Sequence, residues 1–240
     1  IFTGCLIRKS FSSWAISHLK FGASSFMIPV FKPSIRRKEM DSVLSSLVSD
    51  EIGPESVQRE LVKELSELTD TAGGFALREY ERAVALAIDA LELEKGAGVV
   101  LSALSPLTCY RLLERKGLKP LTVDVDPDTM CIDVEAVENR IGEGAMAVIV
   151  DGPLGFVPSM ERIAETGVPI IEEVTATLGG HTGTRSCGSY GYHVIIRLEA
   201  EDLITSGGGT VVLSRKKSML SKMKHAAESL PKEALLPDMN

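Results

Sequence analysis

Residues 97–125 read AGVVLSALSPLTCYRLLERKGLKPLTVDV, and the pattern inside them decides the fold. Ala97–Ala103 is an apolar run of strand length. Pro106–Lys116 places Cys109, Leu112 and Leu113 at helical spacing, and Lys119–Val125 is a second strand. Strand, helix and strand in this order imply a right-handed crossover between parallel neighbours, with the sheet buried on both faces. The same unit continues downstream. Val134–Ile141 is a helix with Val134, Val137 and Ile141 inward, Ala145–Val150 a strand, Ser159–Thr166 a helix and Val168–Ile171 a strand. Val194–Arg197 and Thr210–Leu213 read as two more strands, and Arg215–Leu230 as a closing basic helix. The expected fold is α/β: three αβα layers around a mostly parallel sheet of about seven strands.

Upstream, Arg36–Leu47 and Ser56–Leu68 read as helices, the second with Val57, Leu61, Leu65 and Leu68 on one face. Thr71-Ala72-Gly73-Gly74 reads as a break in the chain. Tyr80–Glu94 is a strong helical pattern through Val84, Ala87, Ile88 and Leu91. Residues 1–26 are a different text, with Arg8, Lys9, Lys20, six serines and no acid; the first acid of the chain is Glu39. Such a bias resembles a transit peptide. The reading favoured is a stretch foreign to the native protein, because Met27 opens a plausible start. The organisation expected is thus a leader over 1–26, an N-terminal helical segment over 27–72 and one large domain over 73–240.

Composition narrows the function. The chain has 240 residues, 44% of them hydrophobic, with a net charge of −7, so it can bury a core and carries no basic footprint for nucleic acid. Cys5, Cys109, Cys131 and Cys187 form no CxxC pair, and His18, His181, His193 and His225 show no ligand spacing. No disulfide framework and no metal site are expected, and the compartment expected is the cytoplasm. No apolar run reaches the ~18 residues that span a membrane. Asp124, Asp126 and Asp128 mimic a calcium loop without its Gly and distal Glu, so a turn around Pro127 is expected there. Gly207-Gly208-Gly209 lacks any phosphate-loop context and reads as a tight turn. Ser102, Ser105, Ser186 and Ser206 have no histidine nearby in sequence.

In such folds ligands sit beyond the carboxyl ends of the strands. The loops to inspect follow Arg78, Ala103, Val150, Ile171 and Ile196. Three stretches there and nearby carry a family likeness: VDVDPDTMCID (123–133), PIIEE (169–173) and GTRSCGSYG (183–191). They are similar to VDIDPDTLNID, PVIEDAAQ and GRRAGSLGD of the DegT/DnrJ/StrS sugar aminotransferases, pyridoxal-phosphate enzymes of fold type I. The likeness covers Pro29 to Asn240. It implies the large domain of that fold, a homodimer with its sites at the interface, and a nucleotide-sugar or other small ligand. LLPDMN (235–240) resembles the point where such proteins enter a long helix toward a small C-terminal domain. The large domain is therefore expected to be truncated, with that small domain absent.

The likeness also implies where the cofactor residues would lie. The stretch similar to FSFYPTKN reads IRLEAEDL, so Asp202 stands where the family carries its Schiff-base lysine and Arg197 where it carries a phosphate-binding serine. A carboxylate forms no imine. Lys216 and Lys217 are the nearest lysines. Glu173 matches the aspartate that faces the pyridine nitrogen, with Glu172 beside it as an alternative strand-end acid. The phosphate cradle SGT corresponds to Glu79, Tyr80 and Glu81. The stacking ring corresponds to Ala103-Leu104-Ser105-Pro106, the glutamine to Ala176, and the HLYG loop to Gly152-Pro153-Leu154-Gly155. The expectation is a degenerate relative, without confident catalytic residues or cofactor, that serves binding or assembly. Two alternatives stand: an active enzyme that uses pyridoxal phosphate through another lysine, and a lyase or isomerase that works through Glu173, Glu201 and Asp202.

Overall fold

The computed structural model describes residues 35–48, 56–228, 230–231 and 234–235. The expectations for residues 1–26 and for the end of the 235–240 motif lie outside them. Every described residue falls in one compact unit, Pro33–Asn240. Its helices are α1 (Arg37–Val48), α2 (Ser56–Leu68), α3 (Tyr80–Ala90), α4 (Leu107–Arg115), α5 (Val134–Gly142), α6 (Met160–Glu165) and α7 (Lys217–Ala227). Its strands are β1 (Gly73–Leu77), β2 (Gly98–Ser102), β3 (Lys119–Val123), β4 (Ala145–Asp151), β5 (Ile170–Glu173), β6 (His181–Thr182), β7 (Arg185–Ser186), β8 (His193–Arg197) and β9 (Thr210–Ser214).

Seven strands form one sheet in the order β1-β9-β8-β5-β4-β2-β3, while β6 and β7 pair as a separate hairpin. Strands β3, β2, β4, β5 and β8 are mutually parallel, and β9 runs against both β8 and β1. The expected three layers are present. Alternate residues explain them: Leu101, Ile149, Ile171, Ile195 and Val212 face a core with α3, α4 and α7. Their neighbours Val148, Val150 and Ile170 face α5 and α6, and Val194, Ile196 and Leu213 face α2 through Leu65. Each such fully buried aliphatic side chain contributes about 1.5–3 kcal/mol over exposure.

Three differences from the sequence reading have local causes. Residues 73–77 form a strand where a break was expected, because Gly74 lets β1 approach β9 closely. Helix α3 stops at Ala90 rather than Glu94, since Glu92 is left-handed (φ 52°) and ends the helical run. On α2 the inward stripe runs through Leu61, Val62 and Leu65, leaving Val57 and Leu68 exposed.

Candidate functional site

The carboxyl edge of the parallel strands gathers a polar cluster from four loops. Register sets Asp151 opposite Glu173 and Glu173 opposite Ile195, so β4, β5 and β8 end side by side. Strand β8 then delivers Arg197 and, one tight turn later, Asp202. The Asp202 carboxylate accepts the Glu199 N–H at 2.9 Å and meets Arg197 Nη2 at 3.3 Å, and its side chain is only 5% exposed. Arg197 Nε lies 3.8 Å from Glu173 Oε1. The Arg197 N–H donates to Thr175 Oγ1 at 2.8 Å, and that hydroxyl donates to Glu173 Oε1. Across the cluster, Ser105 Oγ donates to Asp151 Oδ1 at 2.9 Å. Below it the Tyr80 ring faces the guanidinium at 5.8 Å, and its hydroxyl meets Cys109 Sγ at 3.2 Å.

Burial dominates the electrostatics here. It raises the Glu173 pKa above the ordinary carboxylate value, with the Asp151 charge adding and Thr175 and Arg197 opposing. Asp151 is raised by burial too, against the Ser105 hydrogen bond and Arg197. Desolvation pushes the Cys109 thiol to about 11, so it stays protonated near neutral pH and is no ready nucleophile.

Several residues singled out from the sequence lie elsewhere. Glu172 points away from the cluster and binds the 188–191 turn, accepting N–H groups of Gly188 (2.8 Å), Tyr190 (2.6 Å) and Gly191. Arg215 holds the same turn from its other side through the carbonyls of Gly191 (2.9 Å) and Gly188. The stretches PIIEE and GTRSCGSYG thus meet in this fold, where a buried carboxylate caps a glycine turn. Glu79 and Glu81 at the start of α3 pair with Arg82 (3.0 Å) and Arg115, where first-turn acids also suit the helix dipole. Glu201 is exposed and takes part in none of the cluster's hydrogen bonds or ion pairs given above. Lys216 and Lys217 follow β9, which runs from Thr210, opposite Arg197, to Ser214, opposite His193. They therefore start at the far edge of the sheet, about 13 Å along the strand, and the Lys216 ammonium rests over the Tyr192 ring at 5.0 Å.

The remaining motifs behave as turns. Asp126 Oδ1 accepts the N–H groups of Asp128 (3.1 Å) and Thr129 (2.8 Å) around Pro127. Gly207, Gly208 and Gly209 all have positive φ and lead into β9. Among the described residues no group of three or more His, Cys, Asp or Glu could hold a metal ion. Sequence reasoning missed Asp151, Ser105, Thr175 and Cys109 as members of the cluster. Only Asp151 left a signal, a carboxylate closing the apolar run AMAVIV.

His193, at the start of β8, is fully buried, and neither ring nitrogen has a well-formed hydrogen-bond partner among the described residues. Burial drives its pKa from 6.5 to about 4, with the Leu213 backbone countering slightly. The unfolded chain therefore binds the extra proton between these values, so His193 stability is complete above 6.5 and lost as pH falls toward 4. The loss amounts to about 3 kcal/mol. The raised pKa values of Asp151, Glu172 and Glu173 work in the opposite direction. The expected result is thus a difference. Wild type minus His193→Leu, followed by urea unfolding from pH 7 to 4, falls with acid; a flat difference would show the histidine to be solvated.

Comparison with known proteins matches this architecture. The model of the DegT/DnrJ/EryC1/StrS aminotransferase family fits residues 33–229. The chain belongs to that family. The L-glutamine:2-deoxy-scyllo-inosose aminotransferase of Streptomyces kanamyceticus is 23% identical over 177 residues, 72% of this chain and 42% of that protein. A Methanocaldococcus jannaschii protein, MJ1066, is 25% identical over 203 residues, 82% of this chain and 52% of its own length. The chain thus spans about half the length of these curated relatives. Among solved structures, the aminotransferase TlmJ from Streptoalloteichus hindustanus superposes with a TM-score of 0.79 at 20% identity, covering 89% of this chain and 63% of that one. The likeness is one of fold, and the cluster lies at the carboxyl edge of this chain's parallel strands.

Proposed function

We propose that this chain is a catalytically degenerate member of the sugar aminotransferase family, in which the sheet domain serves as a binding or assembly module. The observation that carries the reading is the Asp202 carboxylate. It stands where the likeness places lysine, is almost fully buried, and is engaged by Arg197 and the Glu199 N–H. The residues present do not fit pyridoxal phosphate. An imine needs an amine, and the nearest lysines begin at the opposite sheet edge. The cofactor's phosphate would meet Glu79 and Glu81 at the α3 start, each already paired with its own arginine. No ring stands at Ala103–Pro106 for stacking, and Ser105 there is committed to Asp151.

Exposed apolar residues support the assembly part of the reading. Leu104, Leu154, Phe156, Leu203 and Ile204 in the segments after β2, β4 and β8, with Leu107 at the start of α4, are exposed at this end of the sheet. Such exposure favours burial against another surface, and a homodimer follows from family likeness. A small-molecule or nucleotide-sugar ligand is part of the proposal on the same likeness. The buried free thiols Cys109, Cys131 and Cys187 suit a cytoplasmic setting, and no described helix is long and apolar enough to cross a membrane.

Mixing the protein with pyridoxal phosphate tests the proposal. After gel filtration no visible band stays with the protein, and borohydride reduction at one equivalent of cofactor adds no stoichiometric mass. A retained band with a stoichiometric reduced adduct on one defined lysine would overturn it and restore the reading of an active enzyme. The carboxylate-lyase alternative loses Glu201, which is exposed, and finds Asp151 in its place beside Glu173. Turnover on a nucleotide-sugar panel, abolished by Asp202→Asn, would favour it over the proposal.

A further inference from the structure

We infer that Arg197 is a built-in plug of the carboxyl-edge site, an autoinhibitory contact that satisfies the site's carboxylates from within the chain. The inference rests on the reading of this site as unfit for pyridoxal phosphate, but it concerns what fills the site instead.

Arg197 is the cation of the cluster. Its guanidinium meets Asp202 at 3.3 Å and approaches Glu173 at 3.8 Å. Its charge also reaches Asp151, Tyr80 and Cys109, which face it from β4, α3 and α4. The Glu173 and Asp202 side chains are 10% and 5% exposed, and the Arg197 side chain that meets them is 35% exposed. Buried carboxylates without a counter-ion are strongly destabilising, so removing the arginine leaves a deficit that another cation can fill. Its backbone is held too, because the Arg197 N–H and Glu173 share the Thr175 hydroxyl. Beyond it, Asp202 caps the Glu199 turn, and Thr205 Oγ1 donates to the Leu198 carbonyl at 3.2 Å. The segment 198–209 is thereby tied down at the same point.

The chemistry of exclusion follows. A cationic ligand must displace the guanidinium to reach Glu173 and Asp202. An anionic ligand attracted to Arg197 meets the carboxylates that already hold it. The two departures from the family pattern at 197 and 202 also act as one unit. Aspartate at 202 without the arginine would add an unpaired acid beside Glu173, and arginine at 197 beside a lysine would set two cations together.

Arg197→Ser, with added methylguanidinium as a replacement cation, tests the plug. The variant's melting midpoint falls below wild type, methylguanidinium raises it, and the neutral methylurea leaves it unchanged. Wild type responds to neither additive at the same low concentration. A variant that melts with wild type, or ignores methylguanidinium, overturns the inference. Should the variant not fold, labelling of the wild-type protein with phenylglyoxal decides. Arg197 is modified more slowly than the exposed Arg111, and Asp202→Asn removes its protection; equal rates in wild type overturn the plug. A pyridoxal adduct on the wild-type protein would remove the functional reading alone, since rescue by methylguanidinium is read without the cofactor.

Discussion

Glu172→Ala lowers the free energy of unfolding by about 3–5 kcal/mol. The carboxylate is buried and accepts three backbone N–H groups from the 188–191 turn. Alanine leaves those donors facing a void, and each orphaned donor costs about 1–3 kcal/mol before water re-enters. Arg215, which binds the carbonyls of Gly188 and Gly191 on the other side, loses its nearest buried counter-charge in the same step. Burial raises the Glu172 pKa even against its three hydrogen bonds, so wild type gains stability as the folded state takes up the proton, and the deficit of the alanine variant widens in acid. Glu172→Gln keeps the shape and one acceptor oxygen but turns an amide toward an N–H, which costs about 2 kcal/mol. Urea unfolding at neutral pH with an unchanged slope is the measurement. A loss under about 1 kcal/mol for alanine would mean that the turn holds itself.

Gly74→Ala abolishes the pairing of β1 with β9, at a cost of about 4 kcal/mol or more. A Cβ on Gly74 would sit inside the Val212 carbonyl oxygen and 2.8 Å from Leu213 Cα. Both obstacles are backbone, so no rotamer change relieves them, and β1 must leave the sheet edge or bend away. Gly73→Ala is a milder control. Its φ of 132° is unfavourable for alanine, but the Cβ meets only the flexible end of Leu220 at 3.4 Å. That strain costs about 1–3 kcal/mol. Hydrogen exchange separates the two: the amides of β1 lose protection in Gly74→Ala and keep most of it in Gly73→Ala. Protected β1 amides in the Gly74 variant would refute the close approach.

The same two glycines show why part of the fold was illegible. In sequence, Thr71-Ala72-Gly73-Gly74 has the composition of a turn, since glycine is the commonest breaker of regular structure. In the fold the two glycines begin a strand, because glycine also permits the closest backbone approach. The helix stripe on α2 moved for a related reason. Val57 and Leu68 fit a helical period, yet the sheet covers only the Leu61–Leu65 side. Periodicity predicts that a face exists and not how wide its partner is.

The candidate site divides in the same way. Asp202, Arg197 and Glu173 could be named from the likeness, and the fold brings all three together. Asp151, Ser105 and the link from Thr175 to Arg197 could not, because Ser105 lies 46 residues from Asp151 and Thr175 lies 22 residues from Arg197. Glu201 shows the converse: it adjoins Asp202 in sequence and stands exposed outside the cluster.

By itself the sequence determined the αβα layering and the run of parallel strands β2, β3, β4, β5 and β8. Those follow from local periodicity, which needs no knowledge of neighbours, while the reading of Asp202 came from the family resemblance. The tertiary structure alone decided that β1 is a strand, that Arg197 lies among acids from separate loops, and that Lys216 starts at the far edge of the sheet. These depend on strand order and register, which bring distant residues within a few ångströms and which no window along the chain contains.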